Sequence, residues 1–202
     1  LNKIIQQDIE TIVSSPLPWE EFAGTTVLVT GGAGFLPAYM VETLLYLNRH
    51  ILSKPCGIEV WVRNQERARA RFEGYSWKDG LRIVQRDVST SLPVPHFAYI
   101  IHAASQASPL YYQTDPIGTL LPNVIGTCNL LDSAKNCRGF LLFSSGDADL
   151  PINPLDLRAC YGESKRMGET MCAAWHRQYG VLAKIVRISH TYGPGMRLDD
   201  GR

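Results

Sequence analysis

Six short apolar runs punctuate the chain, at residues 27–29, 58–62, 81–84, 98–102, 139–143 and 183–188. Each reads as a strand, and Val27, Leu28 and Val29 in the first form the apolar run that a covered parallel strand needs. The segments 39–47, 116–134 and 160–179 read as helices. Residues 1–13 place Leu1, Ile4, Ile5, Ile9, Ile12 and Val13 at a spacing that suits a helix packed on the outside of the fold. Residues 14–18 stop that helix, and Trp19 and Phe22 anchor the chain as it turns into the first strand. Strands that alternate with helices predict an α/β architecture, a doubly wound parallel sheet with helices on both faces. The chain shows no internal repeat and no low-complexity segment.

One junction between strand and helix carries chemistry of its own. Residues 27–37 read V-L-V-T-G-G-A-G-F-L-P. Gly31, Gly32 and Gly34 let the backbone turn sharply and approach a ligand closely, because they lack a Cβ. The helix that starts at Phe35 and Leu36 directs unpaired N–H groups and its positive dipole end at this turn, which suits a pyrophosphate. Gly31, Gly34, Phe35 and Leu36 are therefore candidate cofactor contacts. The usual third glycine, at 37, is replaced by Pro37. Proline is tolerated in a first helical turn, so the turn is expected to survive with the helix seated slightly differently.

Composition narrows the setting. The 202 residues are 45% hydrophobic, enough for one domain with a substantial core. A net charge of +1 gives no electrostatic case for nucleic acid or an acidic membrane surface. No apolar run reaches the ~18 residues of a membrane span, and acids interrupt residues 1–13, so no signal peptide is expected. The five cysteines lack C-x-x-C spacing and read as buried thiols in a reducing compartment, with the cytoplasm as the expected location.

The strand ends supply further candidates. Arg63 and Asn64 follow the second strand, where a dinucleotide fold meets the adenosine ribose. An acid there bonds the 2′-hydroxyl of NAD, whereas an arginine accommodates the 2′-phosphate of NADP, so Arg63 points toward NADP. The neighbouring Arg67, Arg69 and Arg71 are expected to face water. Asp87 and Val88 follow the third strand, where an acid would accept a hydrogen bond from the adenine amino group. Ala103, Ala104 and Ser105 follow the fourth, and their small size lets a cofactor pass. The helix over 116–134 carries Thr119, a further candidate contact, and Asn123 on its early turns. The cofactor is thus NAD or NADP, and no metal site is expected.

Tyr161 and Lys165 lie four residues apart on a helix and share one face. A nearby ammonium and a nicotinamide charge would lower the phenol from its usual ~10, so that the phenolate acts as a base at neutral pH. Ser145, at the carboxyl end of the fifth strand, lies where such sheets bind ligands and can bond the same substrate hydroxyl.

Taken together, T-G-G-A-G-F-L at 30–36, R-D-V at 86–88, H-A-A-S at 102–105, N-V-I-G-T at 123–127, F-S-S at 143–145, Y-G-E-S-K at 161–165 and T-Y-G-P-G at 191–195 resemble an extended short-chain dehydrogenase/reductase of the nucleotide-sugar epimerase/dehydratase family. R-A-C-Y-G-E-S-K-R at 158–166 and G-M-R-L-D-D-G-R at 195–202 most resemble UDP-glucuronate decarboxylases, with dTDP-glucose 4,6-dehydratases close behind. The resemblance implies a Rossmann-type fold over residues 23–202, preceded by a helical extension over 1–22. It implies oxidation of a UDP- or dTDP-hexose at C4, then decarboxylation, dehydration or epimerisation of the 4-keto sugar. Tyr161 would take the C4 hydroxyl proton, with Ser145 and Lys165 as its partners. Asp147 stands where decarboxylases and dehydratases carry a glutamate, and Gly146 where dehydratases carry an acid, which counts against dehydration. A homodimer through the 116–134 and 160–179 helices, using Leu120, Val124, Leu130, Leu131, Met167, Met171 and Trp175, is also implied, although core packing would use several of these equally well.

Three departures are visible. Ser145 and Tyr161 are only 16 positions apart, and His190 replaces an asparagine common in the family. The sequence stops at Arg202 where relatives are expected to continue into a substrate-gripping domain, so that it is expected to be a fragment with that domain largely absent. Two alternatives therefore stand beside the decarboxylase or dehydratase: a 4-epimerase or 4-keto reductase, and an inactive dinucleotide-binding sensor or scaffold.

Overall fold

The computed structural model describes residues 2–90 and 93–196. The end of the G-M-R-L-D-D-G-R segment, from Arg197 onward, lies outside the described residues, as does Leu1. Six parallel strands form a sheet flanked by helices, and across it the strands stand, by their number along the chain, in the order third, second, first, fourth, fifth, sixth. The described residues cluster into two compact units, one over 2–86 with 192–196 and one over 87–191.

The first unit runs α1 (Lys3–Val13), β1 (Thr26–Thr30), α2 (Phe35–His50), β2 (Gly57–Val62), α3 (Gln65–Arg71) and β3 (Leu81–Gln85). Val27, Leu28 and Val29 are wholly buried in β1, with Val29 paired to Val60 of β2 and Val60 to Ile83 of β3. The outer helix α1 buries only Ile5 and Ile9, while Ile4 and Ile12 stay exposed. Trp19 is half-buried and donates from its indole to the Val13 and Ser15 carbonyls, 3.1 Å each, so it ties the end of α1 to the following turn.

Arg71 departs from the expectation that the basic run faces water. Its guanidinium donates to Glu42 of α2 at 3.0 Å, and the Glu42 side chain is fully buried. Burial pushes the Glu42 carboxyl up, and the Arg71 charge pulls it back down. An unpaired buried carboxylate is costly, which is why one arginine of the run turns inward. The same guanidinium lies under Gly195, where an added Cβ would sit 3.3 Å from Arg71 Nη1.

The second unit runs β4 (Tyr99–His102), α4 (Pro109–Thr114), α5 (Pro116–Leu121), a π-turn over Pro122–Gly126, α6 (Thr127–Ser133), β5 (Gly139–Ser145), α7 (Ala159–Tyr179) and β6 (Ala183–Ile188). The single helix expected over 116–134 is thus broken. Pro122 cannot donate the usual backbone bond, and the helix widens there into the π-turn. Leu130 and Leu131 are wholly buried, so they serve the core rather than an interface. Strand β6 is the last in the order, and its Ile185 and Val186, which point to opposite faces, are 41% and 38% exposed.

Ser144 of β5 donates to Glu169 of α7, and Arg187 of β6 grips the same carboxylate through two bonds of 2.9 and 2.7 Å while also pairing with Asp149. The Arg187 bonds hold the Glu169 carboxyl below its usual range. All five cysteines are free, and burial raises the thiols of Cys56 and Cys172 to about 11 and about 12.

Candidate active site

In the first unit the glycine turn is built as a cradle. Gly31 adopts φ +66°, donates its N–H to Trp61 O at 2.8 Å, and accepts from Gly34 N at 2.8 Å. A Cβ on Gly32 would lie 2.7 Å from Val60 Cγ1, so only glycine fits beneath the turn. Helix α2 begins at Phe35, which places Pro37 in its first turn, where the missing N–H removes no intrahelical bond. The missing third glycine is thereby accommodated, with the Pro37 ring stacked beside Gly34. The backbone at Gly31, Gly34, Phe35 and Leu36 fits a dinucleotide pyrophosphate: a left-handed residue at Gly31 and the N-terminus of a sixteen-residue helix. At the end of β2, Arg63 is exposed. Asn64 caps α3, accepting from Arg67 N at 2.8 Å.

The candidates of the second unit divide by what already occupies them. Asp87 accepts from Ser89 N at 2.8 Å. Val88 is buried against Gly126, where a Cβ would come within 2.6 Å of Val88 Cγ2, and its carbonyl accepts from Asn129. Thr119 is buried and donates to Asp115 O at 3.1 Å. Ala103, Ala104 and Ser105 are half-buried after β4, and the Ser105 hydroxyl is buried without a hydrogen-bond partner among the described residues. A buried hydroxyl of this kind fits a ligand polar group.

The reactive cluster centres on α7. Tyr161 and Lys165 are 7% and 5% exposed, and Lys165 Nζ lies 5.6 Å from the Tyr161 ring centroid. The ammonium donates to Phe143 O at 2.7 Å, which fixes it between β5 and α7. Burial alone lowers Lys165 to about 7. Two residues beyond Phe143, Ser145 Oγ accepts from Asp147 N at 3.2 Å, which holds the short turn Gly146–Asp149 at the strand end. Asp147 is half-buried in that turn. Two contacts seat the turn on α7. Arg166 donates to Ala148 O at 2.7 Å and to Leu150 O at 2.8 Å, and Gly162 leaves room for Asp147 O. A Cβ at 162 would stand 2.9 Å from that carbonyl. Gly162→Ala is therefore expected to destabilise the protein by about 1–3 kcal/mol and displace Asp147, as read by chemical denaturation.

Behind the tyrosine lies a polar relay that spacing alone did not reveal. Asn123, in the π-turn, donates to Thr119 O and to Ser164 Oγ, both at 3.0 Å. Ser164 in turn donates to Tyr161 O at 2.9 Å. His102 donates from Nε2 to Pro122 O at 3.2 Å. Burial, and next the Lys165 charge, lower His102 to about 3, so the imidazole is neutral and serves as a strut. A π-turn frequently marks a functional site in a helix. The quoted motifs contain His102, Asn123 and Ser164, but only the folded arrangement shows what they hold.

The model of the NAD-dependent epimerase/dehydratase family matches residues 27–202, which spans the glycine cradle and the serine–tyrosine–lysine cluster. The chain belongs to the NAD-dependent epimerase/dehydratase family. Among members of this epimerase/dehydratase family, UDP-glucuronic acid decarboxylase 6 of Arabidopsis thaliana is 33% identical over 93% of this chain and 57% of that protein. UDP-glucuronic acid decarboxylase 1 of Xenopus tropicalis is 34% identical over 87% of this chain and 43% of that protein. The chain thus spans about half the length of the curated relatives it matches. The fold is shared with the Bordetella bronchiseptica enzyme WbmF in complex with NAD+, at a TM-score of 0.70 and 23% identity over 90% of this chain and 55% of that one. It is shared too with UDP-glucose 4-epimerase of Thermotoga maritima, at a TM-score of 0.63 and 21% identity over 88% of this chain and 60% of that one.

Proposed function

We propose that this chain is the dinucleotide-binding part of a nucleotide-sugar enzyme that oxidises its substrate at C4 and then decarboxylates the 4-keto sugar, with UDP-glucuronate as the substrate. The observation that carries the reading is the buried Tyr161–Lys165 pair, tied to β5 by the bond from Lys165 to Phe143 O two residues before Ser145. Relatives about one-third identical and named UDP-glucuronic acid decarboxylases support this choice of reaction.

Bound NAD(P) supplies an acceptor for the C4 hydride and returns it at the end of the cycle. Tyr161, as phenolate, takes the proton of the C4 hydroxyl, and Ser145 bonds the same oxygen. Lys165 holds the phenolate form through its charge. A ketone at C4 makes the C5 carboxylate that of a β-keto acid, so CO2 leaves with the electron pair delocalised onto the C4 oxygen. A proton then adds at C5, and Tyr161 gives its proton back to the C4 oxygen as the alcohol re-forms. Asp147 is assigned to orient the sugar at the strand end.

NAD is the preferred cofactor, supported by the family and by neighbours crystallised with NAD+ or NADH. NADP is the alternative, because exposed Arg63 would accept a 2′-phosphate. We assign Gly31, Gly34, Phe35, Leu36, Asp87, Ala103, Ala104, Ser105 and Thr119 to the cofactor, with Val88 contributing backbone only. In this reading residues 1–22 are a helical extension and 23–202 the cofactor domain. The protein works in the cytoplasm without a membrane or nucleic-acid partner, and as a homodimer. Ile117, Leu121, Ile125 and Met167, exposed on the helical segments of the second unit, support the dimer. No helix of the described residues is long and apolar enough to cross a membrane.

Product analysis of the full-length protein with UDP-glucuronate, dTDP-glucose and UDP-galactose tests the proposal. Release of CO2 from UDP-glucuronate is the expected result. Inversion at C4 alone would replace it with an epimerase, and inertness toward all three with a sensor or scaffold.

A further inference from the structure

The short helix α4 was not legible as an element, and it carries a residue with no role in the reaction just described. Tyr112 is 7% exposed, and its ring stacks on that of Tyr161 with centroids 4.7 Å apart and planes 13° from parallel. A second contact links the same two segments: Cys160, next to Tyr161 on α7, donates from Sγ to Tyr112 O at 3.8 Å. Helix α4 is itself fastened at its far end. Asp115 accepts from Gln106 Nε2 at 2.9 Å through one carboxylate oxygen and from Gly118 N at 3.0 Å through the other. The segment between Gln106 and Asp115 is thus closed on itself, and it presents Tyr112 from a fixed base.

We propose that Tyr112 is a positioning residue for Tyr161: its ring face sets the plane of the phenol and so the place of the hydroxyl that exchanges the substrate proton. The proposal rests on the reading that Tyr161 is the proton-transfer group. The physical need is plain. The Tyr161 hydroxyl sits at the tip of a six-membered ring, far from the backbone that anchors it. Ser164 steadies the Tyr161 carbonyl and leaves rotation about the side-chain bonds untouched. Lys165 approaches the ring from the same helix at 5.6 Å, too far and too undirected to fix its plane. A stacked aromatic partner restricts ring tilt, since offset stacking has a preferred geometry. Misplacement of a catalytic group by about 1 Å is enough to lower a rate ~100-fold.

The test uses Tyr112→Leu and Tyr112→Phe in the full-length protein with two readouts. The first is the NMR signal of the Tyr161 ring in protein carrying labelled tyrosine, assigned by its loss in Tyr161→Phe. The second is kcat and KM for UDP-glucuronate. The ring-current displacement of the Tyr161 signal is expected to vanish in Tyr112→Leu and persist in Tyr112→Phe. In parallel, kcat is expected to fall about tenfold or more in the leucine variant, with KM unchanged, and to be restored in the phenylalanine variant. An unchanged Tyr161 signal in Tyr112→Leu would overturn the proposal. So would a leucine variant with parental kcat, or a phenylalanine variant as slow as the leucine one, since that result assigns the effect to the hydroxyl instead of the ring face. A parent that shows the ring-current signature yet turns over no nucleotide sugar would support the positioning while removing the decarboxylase reading.

Discussion

Tyr161→Phe is expected to lower kcat of the full-length enzyme by about 10³-fold while leaving dinucleotide binding intact. The substitution removes one oxygen and keeps the ring, so the stack on Tyr112 survives. What is lost is the group proposed to accept and return the C4 hydroxyl proton, and general acid–base groups contribute in this range. Mixing the variant with UDP-glucuronate and following the absorbance of reduced nicotinamide checks the result. No reduced cofactor should accumulate in a single turnover, because hydride cannot leave C4 while its hydroxyl keeps its proton. A variant with parental turnover would remove Tyr161 from the mechanism.

Lys165→Met is expected to act on both rate and stability, with opposite signs. Removing the cation takes away the charge proposed to favour the phenolate, so kcat at neutral pH is expected to fall about 100-fold. Stability moves the other way. Burial lowers Lys165 from 10.5 to about 7. Between those two values the unfolded chain binds a proton that the folded chain does not, so parental stability rises with pH across that window. Below about 7 both states carry the charge, and the folded state bears the full burden of desolvating it. The methionine variant should therefore be more stable than the parent at pH 6, by ~1–4 kcal/mol, and lose that advantage as pH climbs toward 10. Denaturant titrations of both proteins at pH 6, 8 and 10 read the difference.

The parts of the fold that are legible in the sequence are those whose signal is local. Strand β1 and the glycine turn announce themselves through an apolar run and a residue type with one conformational use. The strand β5 and helix α7 do so through length and spacing, and with them come Ser145, Tyr161 and Lys165. What stayed hidden depends on partners far along the chain. Helix α4 has six residues, too few to show a helical period, so the stack of Tyr112 on Tyr161 had no trace in the sequence. The π-turn hides inside a segment whose pattern suits one continuous helix. Its role appears only once His102 and Ser164, from β4 and α7, are seen to bond Pro122 and Asn123. Arg71 sits in a run of arginines that looks uniformly solvated, and only the buried carboxylate of Glu42, twenty-nine residues earlier, singles it out. Leu130 and Leu131 could serve a core or an interface by their chemistry alone, and the packing decides for the core.

The way Arg166 grips the backbone at Ala148 and Leu150 bears on how much change the neighbouring chain can absorb. The grip fixes both ends of the connection that follows: its start by the arginine, its finish by the first turn of α7. Between those posts the chain from Pro151 to Arg158 is almost wholly exposed and bonds mainly to itself. Residues can be added or removed there as slack in a rope between two cleats, while Ser145 and Tyr161 keep their separation. The short spacing of this chain is then a property of its exposed connection, and lengthening that connection is expected to leave the two anchored ends in place.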